Sequence, residues 1–202
     1  MRTIVIFAAI IILSINASAQ TLEEIVQKIN LPMATSELIA TRAQLERLSA
    51  APQADRSAIY YLAYADVELS FRMENDNQKA QYIDEAQKYL DKIKDGDKSE
   101  IETLRGYSYF ALMAIDPRTN GPKYAPDIIA CYEKALKANP DNPRAFLLNA
   151  VFRSNMAKAM GGQYKEFEAD VIRSRELFAA QDTTSLKPYW GTVLLRRFAG
   201  DH

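Results

Sequence analysis

The hydrophobic positions of this sequence recur at a helical spacing along most of its length. Between Pro126 and Ala150, apolar residues three and four positions apart predict a helix that begins at Pro126, a break at Asn139-Pro140, and a second helix. Asn142 can cap this second helix, and Pro143 suits its first turn, where a backbone N–H has no helical partner. The stretch therefore predicts a helix, a tight break and a helix.

The same pattern predicts nine helices and no convincing strand, so we expect an all-α fold. Residues 21–24 (TLEE) and 99–102 (SEIE) have the spacing of capping boxes, in which the first side chain caps a helix and the glutamate reaches back. Asp55 is placed to cap the third helix. The Asn-Gly-Pro run within residues 118–124 predicts a loop, and the last helix is expected to begin at Pro188.

The predicted helices repeat with a period of just over forty residues. Small residues lie in the apolar stripe of alternate helices at spacings of 41, 44 and 41, and apolar residues of the intervening helices are 45, 46 and 41 apart. A repeated helix pair needs a small residue where its axes cross closely. The alternative is that a long helical protein offers such spacings by chance. The two series are Ala65, Gly106, Ala150 and Gly191, and Leu45, Leu90, Leu136 and Leu177.

The first nineteen residues have the composition of a secretory signal peptide. Arg2 gives a positive start, Ile4 to Ile15 is an almost unbroken apolar run, and Ala17-Ser18-Ala19 is a small-residue cleavage site. We expect cleavage after Ala19, a mature helical domain over residues 20–202, and a periplasmic or secreted protein. A retained membrane anchor is the alternative, but the run is shorter than the roughly twenty residues that a spanning helix needs. We therefore expect no membrane span in the mature chain.

The composition of the chain limits which classes of partner and which reactive side chains we expect. The 25 basic and 26 acidic residues nearly cancel, which argues against a nucleic-acid-binding protein. Cys131 is the only cysteine and lies on an apolar helix face, so we expect a buried, inert thiol rather than a reactive one. The only histidine is His202, the last residue, and chain ends are poor places for catalysis or metal binding.

Motifs of catalytic, cofactor and metal sites are absent from the sequence. We find no metal-ligand spacing, no nucleophile elbow, no Cys–His pair and no glycine-rich loop between a strand and a helix. Gly161-Gly162 lies between two predicted helices and reads as a turn. We therefore expect a protein that is not an enzyme, with no cofactor and no metal.

The repeat resembles the tetratricopeptide family, whose unit has an aromatic and a small residue in its first helix, an alanine-rich second helix and a closing proline. The resemblance implies a right-handed α-solenoid of about three and a half antiparallel helix pairs. The match is good over residues 106–150 and weak elsewhere. It is carried by Gly106 and Tyr109, by Tyr132, Ala135 and Pro140, by Phe146 and Ala150, and by Trp190-Gly191.

The chain departs from the family in the turn inside each unit. About 19 positions separate the two small-residue positions in the 34-residue family unit, whereas the corresponding separations here are 24, 29 and 26. Three extended turns should therefore project from one edge, at residues 72–77, 117–124 and 160–164. The Asn142, Gly161-Gly162 and Trp190-Gly191 segments also resemble those of secreted tetratricopeptide-like proteins of Gram-negative bacteria.

The family resemblance implies a groove lined by the first helices, which would bind a protein or peptide partner. We therefore predict an exported scaffold that acts through this groove. The alternative for its apolar members, among them Leu62, Phe110 and Leu147, is that they belong to the core. The predicted groove residues are Asp66, Glu100, Thr103, Tyr107, Phe110, Arg144, Val151 and Asn155.

A second candidate surface is the edge of extended turns. Loops on a rigid scaffold often carry function, and aromatic side chains there would suit a small molecule or a glycan. The turns can equally be neutral insertions, which surface loops tolerate at little cost. This alternative function depends on Arg118, Asn120, Tyr124 and Tyr164.

Overall fold

The protein is all-α, as predicted. The computed structural model describes residues 20–183 and 185–199, and these residues form nine helices and no strand. The predicted signal peptide, its cleavage site after Ala19, and His202 lie outside the described residues. The helices are α1 (Leu22–Ile29), α2 (Thr35–Ser49), α3 (Arg56–Ser70), α4 (Asp76–Lys92), α5 (Lys98–Ile115), α6 (Pro117–Ala138), α7 (Pro143–Ala159), α8 (Phe167–Ala180) and α9 (Thr192–Ala199).

Three of the four helix caps that the sequence predicts are confirmed. Thr21 and Glu24 form a capping box at α1, and Asp55 and Asn142 cap α3 and α7. The predicted capping box that begins at Ser99 is wrong, because Asp97 caps α5 by accepting bonds from the N–H groups of residues 99 and 100. The Ser99 hydroxyl instead donates to the carbonyl of Ala135 in α6 at 2.9 Å. The Ser99 side chain therefore links α5 to α6 and does not cap α5.

The prediction of a loop at residues 118–124 is wrong, because this segment belongs to the first part of α6. Asp116 caps the helix and Pro117 occupies its first turn, while Pro122 and Pro126 lie inside it. Each internal proline removes one backbone hydrogen bond, and the carbonyls left without a partner belong to exposed residues, where water can bind them. The helix continues because its other face packs along α5, which is the most extensive helix contact in the described chain.

Neighbouring helices along the chain pack against each other, and α5 also contacts α3 and α7. The core at these contacts is rich in leucine and tyrosine, including Tyr61, Leu104, Tyr132 and Leu147, which are at most 1% exposed. Helices α3, α5 and α7 therefore form the centre of the protein, and their N-terminal ends are capped by Asp55, Asp97 and Asn142. No helix in the described ranges has the length and apolar character that crossing a bilayer requires.

The predicted burial of Cys131 is confirmed. The thiol lies in α6 and the residue is 4% exposed. Burial, together with the nearby Glu102 carboxylate, raises the pKa of Cys131 to about 12. The thiol is thus protonated at neutral pH, and protonated thiols are weak nucleophiles.

Two glycines provide a matched test of the α5–α6 packing. A Cβ at Gly106 would lie 2.6 Å from Cε1 of Tyr132 and 3.1 Å from Cβ of Cys131, whereas a Cβ at Gly121 would meet nothing within 4 Å. Gly106→Ala is expected to lower the free energy of unfolding by about 1–3 kcal/mol through overpacking. Gly121→Ala is expected to raise it by roughly 0.5–1 kcal/mol, because alanine favours a helix interior.

Urea denaturation followed by circular dichroism measures both changes. A loss of stability in Gly121→Ala would contradict a continuous α6. A neutral Gly106→Ala would contradict the close crossing of α5 and α6.

Candidate functional site

The segment that follows α8 packs on the centre of the protein through Trp190. We call residues 185–191 the strap. Trp190 is 1% exposed, and its ring stacks on Tyr64 and Tyr107 with centroid distances of 4.7 and 5.8 Å. Its indole N–H donates to the Tyr60 hydroxyl at 2.8 Å. The strap is thereby held against α3 and α5 by residues more than eighty positions away in sequence.

The last helix does not begin at Pro188 as predicted, because residues 185–191 are not helical and α9 starts at Thr192. Gly191 has a φ of +108°, which favours glycine. A Cβ there would lie 2.9 Å from Cζ of Phe178 and 3.1 Å from Cγ of Arg144. The repeat pattern assigned Gly191 to a helix crossing. In the structure Gly191 instead lies at the closely packed junction between the strap and α9.

A buried ion pair joins the strap to the central helices. Arg144 Nε and Nη2 donate to Glu100 Oε2 and Oε1 at 2.9 and 2.7 Å, while Nη1 donates to the Trp190 carbonyl at 3.1 Å and to Gln181 Oε1 at 2.8 Å. Burial lowers the pKa of Arg144, but the Glu100 carboxylate more than offsets this and raises it. The guanidinium is charged, and it ties α5 and α7 to the strap and to the end of α8.

Glu100 accepts further bonds from its neighbours. Asn142 Nδ2 donates to Oε1 at 2.8 Å, and the Tyr60 hydroxyl donates to Oε2 at 3.2 Å. Burial raises the pKa of Tyr60 well above its usual value, and Glu100 adds to the shift, so the hydroxyl keeps its proton. The Glu100 carboxylate is therefore satisfied on both oxygens, as a buried charge must be.

The predicted groove is not an open surface in this structure. Its members Glu100, Tyr107 and Arg144 contact the strap or lie beneath it, because burying the Trp190 ring removes a large apolar surface from water. Leu62 and Leu147 are fully buried, which agrees with the alternative that they belong to the core. Of the eight predicted residues, those buried are Asp66, Glu100, Thr103, Tyr107, Arg144 and Val151; Phe110 is half-buried and Asn155 is exposed.

Asp66 belongs to a different cluster from the other groove residues. Its Oδ1 accepts from Arg42 Nε at 2.5 Å, and the same guanidinium bonds Glu46 and Glu85. The second oxygen of Asp66 is buried without a hydrogen-bond partner. Burial raises the pKa of Asp66 to about 7, although Arg42 acts in the opposite direction. Arg42 of α2 thus binds α3 through Asp66 and α4 through Glu85, and Asp66 faces this guanidinium rather than a partner.

The residues predicted for the loop edge do not form one edge, since Arg118, Asn120 and Tyr124 all lie in α6. Arg118 is exposed, Asn120 donates to the carbonyl of Leu112 at 2.8 Å, and the Tyr124 ring stacks on Tyr109 at 5.9 Å. Tyr164 does lie in a turn, between α7 and α8, where its hydroxyl bonds Arg153 and Asp170. The Tyr124 ring thus packs on α5, whereas the Tyr164 hydroxyl bonds residues of α7 and α8.

A cleft opens where the N-terminal ends of α3 and α5 face the strap. We call its first part the apolar lobe; it has a volume of about 330 Å³, in the range of small-molecule sites. The strap and the loop between α4 and α5 both contribute to its lining. The apolar lining comprises Ile93, Ile101, Leu186, Pro188 and the Tyr60 ring. The rest of the lining comprises Arg56, Ser57, Asp95, Gly96, Asp97, Glu100, Ser185 and Lys187.

The cleft continues into a second, charged lobe of about 800 Å³ between α5, α7, α8 and the strap. The two lobes share Asp97, Glu100, Lys187 and Pro188. Arg173 in the charged lobe pairs with Asp141 at 3.0 Å. The strap therefore forms a wall of both lobes.

Sequence reasoning missed most of the cleft residues, because Arg56, Ile93, Leu186 and Lys187 come from three separate segments with no shared motif. Glu100 and Arg144 were predicted as groove residues, and they lie at the cleft, although mutually paired. The sequence signal nearest to the cleft was Trp190-Gly191, one of the segments that carry the tetratricopeptide resemblance.

Comparison with known proteins shows that the fold of this chain resembles that of one solved structure. No family model matches the sequence, and no curated protein matches it. Among solved structures, the chain is similar to the HusA haemophore from Porphyromonas gingivalis, with a TM-score of 0.67 and 23% sequence identity. The likeness covers 87% of this chain and 88% of that chain. The all-α fold described above is thus shared with that protein over most of both lengths.

Proposed function

We propose that this protein is an exported, tetratricopeptide-like carrier without enzymatic activity, which binds a molecule of the porphyrin class in the cleft with part of its apolar ring in the apolar lobe. The observation that carries the proposal is the partly enclosed apolar lobe between α3, α5 and the strap. The fold likeness to a haemophore supports the class of ligand, and the signal-like first nineteen residues support export.

A carrier accords better with the geometry than the scaffold that the sequence suggested. A peptide-binding scaffold would depend on an open groove, and Trp190 covers the part of the predicted groove that contains Tyr107 and Arg144. The cleft beside it has accessible apolar side chains from α5 and the strap, including Ile101 and Leu186. Removing apolar area of a flat ring from water on such surfaces is favourable by about 25 cal/mol per Å², before the costs of association are subtracted.

The proposal is tested by titrating the mature chain with haemin. Binding should change the haemin absorption spectrum and saturate at one equivalent. It should also quench the emission of Trp190, which is the only tryptophan and is bonded to Tyr60 in the lobe. Leu186→Asp places a carboxylate in the apolar lining and is expected to weaken binding at least about tenfold, equivalent to about 1.4 kcal/mol.

Ile39→Asp is the matched control, because Ile39 is 45% exposed on α2 and does not line the cleft. It should bind haemin like the natural chain. Equal binding by Leu186→Asp would contradict the site, and the absence of saturable binding by the natural chain would contradict the function.

A further inference from the structure

We propose that the ligand of the apolar lobe carries carboxylate groups, and that Arg56 and Lys187 recognise them. This inference rests on the proposed function and names the chemistry of its ligand: an apolar ring with acidic substituents on one edge. Both cations line the lobe, Arg56 at the start of α3 and Lys187 on the strap. They belong to two different segments of the lining, α3 and the strap.

Neither cation is neutralised by the protein. Among residues 20–183 and 185–199, no carboxylate forms an ion pair with Arg56 or Lys187. Arg56 donates to the backbone carbonyl of Asp95, and both side chains belong to exposed residues. Two charged donors are therefore available at the lobe without the cost of breaking an existing pair.

The acidic residues of the lobe are mostly occupied. Asp97 caps α5, and Glu100 is paired with the buried Arg144 at 2.7 Å. Asp95 is the exception, since its side chain makes no hydrogen bond or ion pair with the described residues. An incoming carboxylate is thus attracted by Arg56 and Lys187. It is repelled most by Asp95, because Glu100 is paired with Arg144 and the charge of Asp97 is partly offset by the N-terminal end of α5 that it caps.

The apolar lining limits how much of the ligand can be charged. Ile93, Ile101, Leu186 and Pro188 offer nothing to a carboxylate, so the acidic groups must point out of the lobe toward the two cations. A porphyrin with free propionates on one edge has this division of apolar and charged surface. A uniformly apolar ring would leave both cations without a role.

The experiment compares two probes, protoporphyrin IX and its dimethyl ester, at one fixed concentration of non-ionic detergent. We expect the double variant Arg56→Gln/Lys187→Gln to bind the diacid about tenfold more weakly than the natural chain. The same variant should bind the diester within about twofold of the natural chain. The loss for the diacid should shrink as salt is raised from low concentration to above 0.5 M, because exposed charges are screened.

Two further variants separate local recognition from overall charge. Arg47→Gln removes an exposed cation of α2 that does not line the cleft, and it should leave the affinity for both probes unchanged. Asp95→Asn removes the repelling carboxylate and should tighten binding of the diacid a few-fold.

Equal weakening of both probes in the double variant, or no weakening of either, would overturn carboxylate recognition while leaving the carrier function in place. If the natural chain binds neither probe, the carrier function fails and this inference fails with it.

Discussion

Replacing Trp190 by alanine is expected to lower the free energy of unfolding by about 3–5 kcal/mol, the range for truncating a large buried aromatic side chain. Trp190 is among the largest fully buried side chains of the described chain. The alanine would leave a cavity between the Tyr64 and Tyr107 rings and would remove the donor to the Tyr60 hydroxyl. The cavity cannot close easily, because both rings are held by α3 and α5.

The measurement is urea denaturation followed by far-UV circular dichroism, since the variant has no tryptophan emission. Trp190→Phe is the graded control: it keeps an aromatic ring between the two tyrosines but loses the indole N–H, so its loss should be smaller. Ile39→Ala on the exposed side of α2 should cost well under 1 kcal/mol. A Trp190→Ala loss as small as that of Ile39→Ala would contradict the burial of the strap.

Removing Arg144 alone is expected to cost about 3–5 kcal/mol, because Glu100 would remain as a buried charge without its partner. The pair is enclosed, with side chains that are 5% and 7% exposed, and it lies at 2.7 Å. Arg144→Ala would also remove the donors to the Trp190 carbonyl and Gln181, so the strap would lose a second attachment. Asn142 and Tyr60 would be the remaining donors to the Glu100 carboxylate.

A double-mutant cycle with Glu100→Ala separates the pair from the lost packing. The double variant should be less destabilised than the sum of the single variants, because removing both charges avoids an unpaired one. Arg173→Ala is the matched control, since Arg173 pairs with Asp141 at the surface, with side chains 49% and 68% exposed. It should cost less than about 1 kcal/mol. Additive losses in the cycle would contradict a buried, coupled pair.

The local signals along the chain predicted the helices well where a capping side chain decides the boundary. Thr21, Asp55 and Asn142 each cap the helix that the sequence assigned to them. A cap needs only contacts between residues two or three positions apart, so sequence spacing is enough to find it. The class of fold follows from the same local pattern.

The same rules failed where long-range packing outweighed a local preference. Asn120-Gly121-Pro122 favours a turn by itself, yet the segment is helical because the rest of α6 packs on α5. Ser99 is a good cap by itself, but its hydroxyl bonds the carbonyl of Ala135 in α6, and Asp97 caps the helix instead. In both places the deciding contact comes from another helix.

The candidate site could be predicted only in part. Glu100 and Arg144 were predicted as groove residues, but the sequence does not reveal that they pair with each other 44 positions apart. Arg56 and Lys187 were missed, because the sequence does not show whether a basic residue borders a cavity. A cavity is a property of the space between elements, and no residue spacing encodes it.

The sequence by itself determined that this protein is all-α, where most of its helices begin and end, and that Cys131 lies on a buried face, because helical periodicity and capping act over a few residues. The tertiary structure alone decided that Trp190 covers Tyr107 and Arg144 of the predicted groove and that the strap lines a cleft. The Trp190–Tyr60 bond joins residues 130 positions apart, and such contacts arise only from how the helices pack.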